Sequence, residues 1–221
     1  MAARVRLPRA VAYLLRKSTP SLSMSLELSP RATEIAEHAK LLLAAGGYNG
    51  FSYADISDRV HIGKASIHHH FPSKAELVLT VVLKHREQSR EGLAALSQQV
   101  NDPLGQLTAY TDYWATCIRE GTATMCICAM LAAELPMIPQ EIADEVRGYF
   151  SDLTAWIGAA LEKGVSTGQF QLRESVNVEA QTFMSTIHGA MLTARAFGRP
   201  EAFSSVARTA IDRLQAPTDR A

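Results

Sequence analysis

The sequence predicts an all-α chain: a head of three short helices, then a larger helical body. Three observations predict it. Apolar residues recur at helical spacing from about residue 30 onward, and no window alternates with period two for long enough to make a strand. Pro, Ser, Asp and Gly stand where helices start and stop, which leaves segments of helical length between them. Nearly half of the 221 residues, 47 %, are apolar, enough for a packed core and too many for a disordered chain.

Pro30 opens a first helix over about 30–46, where Ile35, Ala39, Leu42 and Leu43 share one face and Gly46-Gly47 ends it. Ser52 starts a second helix, with Asp55 three residues on as a capping-box partner and Ala54, Ile56 and Val60 as its buried positions. After the turn Val60-His61-Ile62-Gly63, a third short helix runs from about Lys64 to His70, until Phe71-Pro72 breaks it. Ser73 and Glu76 form the capping box of a long fourth helix, about 74–97, with Leu77, Val81 and the pair Lys84/His85 on its inward stripe. Asn101-Asp102-Pro103 marks a break. Beyond it, helices are expected near 104–120, 124–135, 139–166, 175–198 and 201–215, separated by Gly121, Pro136/Pro139, Gly164/Gly168 and Gly198-Arg199-Pro200. The composition shift places a domain boundary within the fourth helix, near residue 85.

The formal net charge is zero, but residues 1–90 hold 13 Lys/Arg against 7 Asp/Glu, and residues 91–221 hold 9 against 15. A basic front and an acidic back suggest that the front meets something anionic. Three cysteines, Cys117, Cys126 and Cys128, with no secretory signal point to a reducing, cytoplasmic setting. The longest charge-free apolar run, Gly121 to Ala133, is too short to span a bilayer, so no membrane role is expected. Residues 1–29 read as a disordered arm or as a mis-assigned start, with Met24 the favoured true start.

Two short helices separated by a tight turn fit a helix-turn-helix, whose second helix enters the major groove of DNA. Lys64 and Ser66 stand at its leading end: Lys donates to guanine O6/N7, and Ser meets either kind of base edge. Ser52 and Lys74 each begin another helix, where backbone N–H groups and side chains suit phosphate oxygens. An ordinary helical hairpin with solvated polar faces has the same spacing. The run His68-His69-His70 is not read as a metal site, because consecutive helical residues point about 100° apart. By the same geometry Cys126 and Cys128, two apart on a helix, face about 200° away from each other and do not converge on zinc. They read as small buried hydrophobes. No Gly-rich phosphate loop, Gly-x-Ser-x-Gly or His-Glu-x-x-His is present, so no catalytic role and no cofactor or metal is expected. Glu134, Glu141, Asp144 and Glu145 read as solvated charges at a helix junction.

The pattern Gly50-Phe51-Ser52, Ile56, Val60, Ile62, Lys64-Ala65-Ser66-Ile67, His70-Phe71-Pro72-Ser73-Lys74 and Leu77 resembles the TetR family of transcriptional regulators. The resemblance covers the helical chain from about residue 31. It implies a DNA-binding domain over 30–85 and a helical ligand-binding and dimerisation domain over 86–216. It also implies a homodimer on a palindromic double-stranded operator. Ser52, Lys64, Ser66, His68, His69 and Lys74 would face DNA. His61 departs from the family's turn Gly, at a position that needs positive φ. Gly63 replaces the usual Ser cap. His68 and His69 replace an aromatic pair, and as phosphate donors they would make binding sensitive to pH.

In a TetR-like body some of the bulky apolar residues line a ligand cavity. Trp114, Met130 and Phe150 are candidates, with His188 the best polar one and Cys126 at a position where the family often carries a Cys beside the cavity. Small residues Gly189, Ala190, Ala194 and Ala196, with residues 201–215, suit the helical dimer face the resemblance implies. The expected function is a DNA-binding regulator, a repressor released by a small-molecule inducer. A redox or electrophile sensor using Cys126 on the same scaffold, and a helical interaction module or enzyme with no DNA role, are the alternatives.

Overall fold

A computed structural model of the protein describes residues 28–123 and 125–216, and the expectation of an arm or late start over residues 1–29 falls almost wholly outside them. Nine α-helices and one 3-10 turn are formed among the described residues, with one isolated bridge and no strands.

The first helix, α1 (Pro30–Gly46), starts where Ser29 Oγ accepts from Ala32 N at 3.3 Å and ends at Gly47. Its Ile35, Ala39 and Leu43 are fully buried. The second helix, α2 (Tyr53–Val60), carries the expected capping box: Ser52 Oγ accepts from Ala54 N at 3.2 Å, and Asp55 Oδ2 accepts from Ser52 N at 2.7 Å. Tyr53, Ile56 and Val60 are its buried positions, while Ala54 is half-buried. His61 follows in the left-handed region at φ 55°, ψ 43°, the single non-glycine with positive φ among the described residues. A His tolerates this better than most residues with a Cβ. The third helix, α3 (Lys64–His70), then runs to Phe71. Burying Ile35, Leu43, Ile56 and Ile67 contributes about 1.5–3 kcal/mol each.

The long helix α4 (Lys74–Gln99) is followed by α5 (Pro103–Glu120), which Asp102 caps by accepting from Gly105 N at 2.7 Å and Gly121 ends at φ 68°. Then come α6 (Ile127–Ala132), a 3-10 turn (Leu135–Met137), α7 (Gln140–Ser166), α8 (Val176–Phe197) and α9 (Pro200–Asp212). The expected helix over 124–135 is corrected here. It is one and a half turns, then Pro136 inside a 3-10 turn, because Pro136 removes a backbone donor that a longer helix would need.

The chain groups into two compact units. One takes in the described chain up to Ser89 together with Ala123–Ser151; the other takes in Arg90–Thr122 and the described chain from Asp152 onward. In the first, α1 packs on α2, α3 and α6. In the second, α9 packs on α8 and α5 around Leu107, Phe183, Ile187, Met191 and Phe203. Trp156 Nε1 donates to Ser97 Oγ at 2.8 Å within that unit. Phe170 closes over Gly164, where a Cβ would strike its ring. Backbone bonds from Gln171 N to Leu214 O and from Ala216 N to Gln169 O, both 2.9 Å, clip the end of α9 to the α7–α8 loop. No helix among the described residues is long and apolar enough to cross a membrane.

Candidate functional site

The face of α3 opposite Ile67 is open. Ile67 is fully buried, whereas Lys64, Ser66, His68 and His69 are exposed on the same two turns. These four, with exposed Ser52 at the start of α2, make a polar surface whose donors are side-chain ammonium, hydroxyl and imidazole groups. His68 is set rather than loose. Its Nδ1 donates to Pro72 O at 3.1 Å, and its ring meets Tyr53 edge-on with centroids 4.7 Å apart. Tyr53 is anchored in turn by its phenol, which donates to Phe71 O at 2.8 Å. Burial, with the negative charge of Glu76, pushes the Tyr53 phenol up to about 12. At the other side of α2, hydrogen bonds from the Ser52 hydroxyl and backbone hold Asp55 below the usual carboxylate range.

Lys74 is half-buried, and its ammonium turns back into the head. It donates to Phe51 O and lies over the rings of Phe51 and Tyr48, 4.3 and 4.8 Å from their centroids. Desolvation lowers its pKa, against the pull of Glu134 and Asp55. Glu134 does not stand in solvent, as its place at a helix junction suggests. Its carboxylate accepts from Tyr48 N at 2.5 Å, Asn49 N at 3.2 Å and Asn49 Nδ2 at 3.1 Å. It thereby fastens the α1–α2 turn. Glu145 likewise pairs with Arg86 at 2.9 Å, while Asp144 makes an exposed local pair with Arg147 and Glu141 stays exposed. No sequence signal announces Glu134, which lies 85 and 86 residues from its partners.

The five candidate ligand residues divide between the units. Trp114 and His188 are buried in one, with His188 Nδ1 donating to Met184 O at 3.1 Å. Cys126, buried, and Met130 and Phe150, half-buried, belong to the other. A groove of 610 Å³ along α8 and α9 is lined by Phe183, Thr186, Val206 and Arg213 among others, and by none of the five.

The cysteine geometry differs from the one that helical spacing predicts. The two are not on one helix: α6 begins at Ile127, and Cys126 is its N-cap with extended backbone at φ −66°, ψ 126°. This breaks the 200° separation. Cys126 Sγ, Cys128 Sγ and a ring nitrogen of His85 lie within 4.8 Å of one another. His85 Nε2 is 4.0 Å from Cys126 Sγ, and the Cys126 thiol donates to the Tyr149 phenol oxygen at 3.5 Å. The His85 ring stacks on Tyr149 with centroids 5.3 Å apart. Both cysteines are fully buried. Burial pushes the Cys128 thiol well up, Cys126 adds to this, and the charges of Arg86 and Lys40 oppose it.

Two family descriptions match the chain: bacterial regulatory proteins, tetR family, over residues 34–81, and tetracyclin repressor-like, C-terminal domain, over residues 103–210. A solved transcriptional regulator of the TetR family from Agrobacterium tumefaciens is similar at 45 % identity and TM-score 0.82, over 84 % of this chain and 98 % of that one. A TetR transcriptional regulator from Legionella pneumophila is similar at 25 % identity and TM-score 0.75, over 86 % of this chain and 100 % of that one. A regulatory protein TetR from Rhodobacter sphaeroides shares the fold at 20 % identity and TM-score 0.76, over 84 % and 100 %. A comparison with curated proteins finds no match.

Proposed function

The chain belongs to the TetR family of transcriptional regulators, and we propose that it is a cytoplasmic, homodimeric repressor which a small effector releases from a palindromic operator. The observation that carries this reading is the open face of α3, where Lys64, Ser66, His68 and His69 stand exposed on a helix fixed to the core by Ile67. In this reading α3 enters the major groove, Lys64 donates to a guanine edge and Ser66 to a neighbouring base. Ser52, His68 and His69 bind phosphates. Lys74 keeps two N–H bonds for a phosphate after donating one to Phe51 O. The head corresponds to residues 30–85 and the effector and dimer functions to residues 86–216, with Trp114, Cys126, Met130, Phe150 and His188 as the candidate effector contacts.

Pairing through α8 and α9 is supported by the large apolar side chains they leave in solvent: Val178, Leu192, Phe197 and Val206 are 44, 53, 68 and 36 % exposed. The effector must favour the released arrangement over the DNA-bound one, and α4, which starts at Lys74, is the element through which it would act. An electrophile-sensing role for Cys126 is less favoured, because both thiols of the pair are buried and a reactive cysteine needs an accessible thiolate.

The test starts from genomic footprinting, which returns an operator duplex. Affinity for it should fall steeply with salt. Lys64→Ala should cost about 1–3 kcal/mol and relax specificity at one base pair. Absence of binding at low salt, or binding indifferent to salt, refutes the reading.

A further inference from the structure

We propose that His85, Cys126 and Cys128 form a binding site for a thiophilic d10 cation, Zn(II) or Cu(I), and that this cation is an effector whose site shares only Cys126 with the contacts named above. The second half rests on the regulator reading above; the first half does not.

The donor set argues for it. Two sulfurs and an imidazole nitrogen converge within 4.8 Å, from two segments 41 and 43 residues apart in sequence. A tetrahedral ion with bonds of about 2.3 Å to sulfur and about 2.0–2.1 Å to nitrogen separates two sulfurs by about 3.8 Å and sulfur from nitrogen by about 3.6 Å. The His85 Nε2 to Cys126 Sγ distance of 4.0 Å is already close to that. Two thiolates and an imidazole select soft or borderline ions over Mg(II) or Ca(II). Around the donors stands a supporting shell: Tyr149 stacks on the His85 ring, and its phenol oxygen accepts from the Cys126 thiol. Once that thiol loses its proton on metal binding, the phenol O–H can turn to the sulfur, so Tyr149 would fix both a nitrogen and a sulfur ligand. His85 is half-buried, whereas both sulfurs are closed off, so the nitrogen is the donor nearest to solvent.

Binding is a displacement of protons. Two metal–sulfur bonds and one metal–nitrogen bond form, two S–H bonds break, both protons leave to solvent, and no electron moves. The fourth position of a Zn(II) ion would take water, whereas Cu(I) is content with three donors. The consequence for regulation lies in which elements the ion joins. His85 is on α4, eleven residues after Lys74; Cys126 and Cys128 begin the segment that reaches Glu134, the carboxylate holding the α1–α2 turn. An ion there cross-links α4 to the segment that clamps the reading head.

The full chain, reduced and freed of metal under anaerobic conditions, is titrated with Co(II), then with Zn(II) and Cu(I) against chromophoric chelators. The expected result is one Co(II) per chain, with near-ultraviolet thiolate-to-cobalt charge transfer and intense tetrahedral d–d bands, displaced by Zn(II) or Cu(I). His85→Gln, Cys126→Ser and Cys128→Ser should each weaken binding by about tenfold or more, while Cys117→Ser leaves it unchanged. Retention of Zn(II) or of Cu(I) against its chelator upholds the site and identifies the ion. Capture of neither, or unaltered capture by His85→Gln, overturns the site. That variant alters a half-buried residue, so the test does not depend on the buried serine variants folding. In a second arm, the preferred ion should lower operator affinity about fivefold or more in the parent chain and not in His85→Gln. An operator affinity blind to the ion removes the effector role. A chain that binds the ion but no DNA refutes the regulator reading and leaves the site standing.

Discussion

Gly47 and Glu134 should be energetically coupled, and the coupling can be worked out from the turn they share. Gly47 sits at φ 73°, ψ −166°, a region essentially reserved for glycine, so Gly47→Ala should cost about 1–3 kcal/mol in backbone strain alone. A Cβ there would also collide with Glu134 Oε2 and lie 2.9 Å from Cδ. A carboxylate at the end of a flexible side chain can move away, but only by abandoning its three hydrogen bonds to Tyr48 and Asn49. Two of those involve exposed Asn49, where water substitutes readily, so the set contributes about 2 kcal/mol in total. Glu134→Ala should therefore cost about 2 kcal/mol and Gly47→Ala about 4 kcal/mol. In the Glu134→Ala background the alanine has nothing to displace, and its additional cost should fall to the strain alone. The double mutant should be about 2 kcal/mol more stable than the sum of the singles implies. Urea denaturation at one fixed protein concentration measures all four corners. Additivity within about 0.5 kcal/mol would refute the view that Glu134 clamps this turn.

Other outcomes follow from single contacts. Tyr53→Phe removes the bond to Phe71 O and should cost about 1 kcal/mol near neutral pH. Because the folded phenol is raised to about 12, its contribution is complete below the unfolded value near 10 and is lost as pH rises through 12. The stability gap between parent and variant should therefore shrink only in that alkaline window, as read by denaturation across pH. Trp156→Phe should cost about 1 kcal/mol through the lost bond to Ser97, measured by urea titration. His61→Val puts a β-branched residue at φ 55° and should destabilise by about 1–2 kcal/mol, whereas His61→Gly should stay within about 1 kcal/mol of the parent. If His68 and His69 donate to phosphates, operator affinity should be higher at pH 6 than at pH 8, and a double His→Gln variant should lose that difference.

Local chemistry made most helix limits legible. Pro30, the Ser52/Asp55 box, Pro72 and Asp102-Pro103 act on their immediate neighbours, and the helices begin or end beside them. His61 was legible through the family resemblance, which puts glycine at that turn and so marks the residue there as one held at positive φ. The stretch around Cys126 carries no such mark. Cys126 offers no side-chain cap, so periodicity alone extends the helix backward through it, and the resulting face angle is wrong. The position of Glu134 was illegible for a different reason. Its partners are mainly backbone N–H groups, which every non-proline residue carries, so nothing in the sequence distinguishes the two that it binds. Lys74 shows a third case: the residue type and place were readable, but the direction of its ammonium depends on two aromatic rings and a carbonyl from the preceding loop.

The Glu134 clamp also bears on transplantation. A reading head cut from this chain after Ser89 would carry α1 to α3 and the start of α4, yet leave behind the carboxylate on its α1–α2 turn and the Glu145 that pairs with Arg86. Grafted onto another regulator's body, it would meet whatever that body presents at the same two places. Chimaeras of this chain should therefore exchange Ala123–Ser151 along with the head, treating the two stretches as one heritable piece although 33 residues of other structure, Arg90–Thr122, are threaded between them.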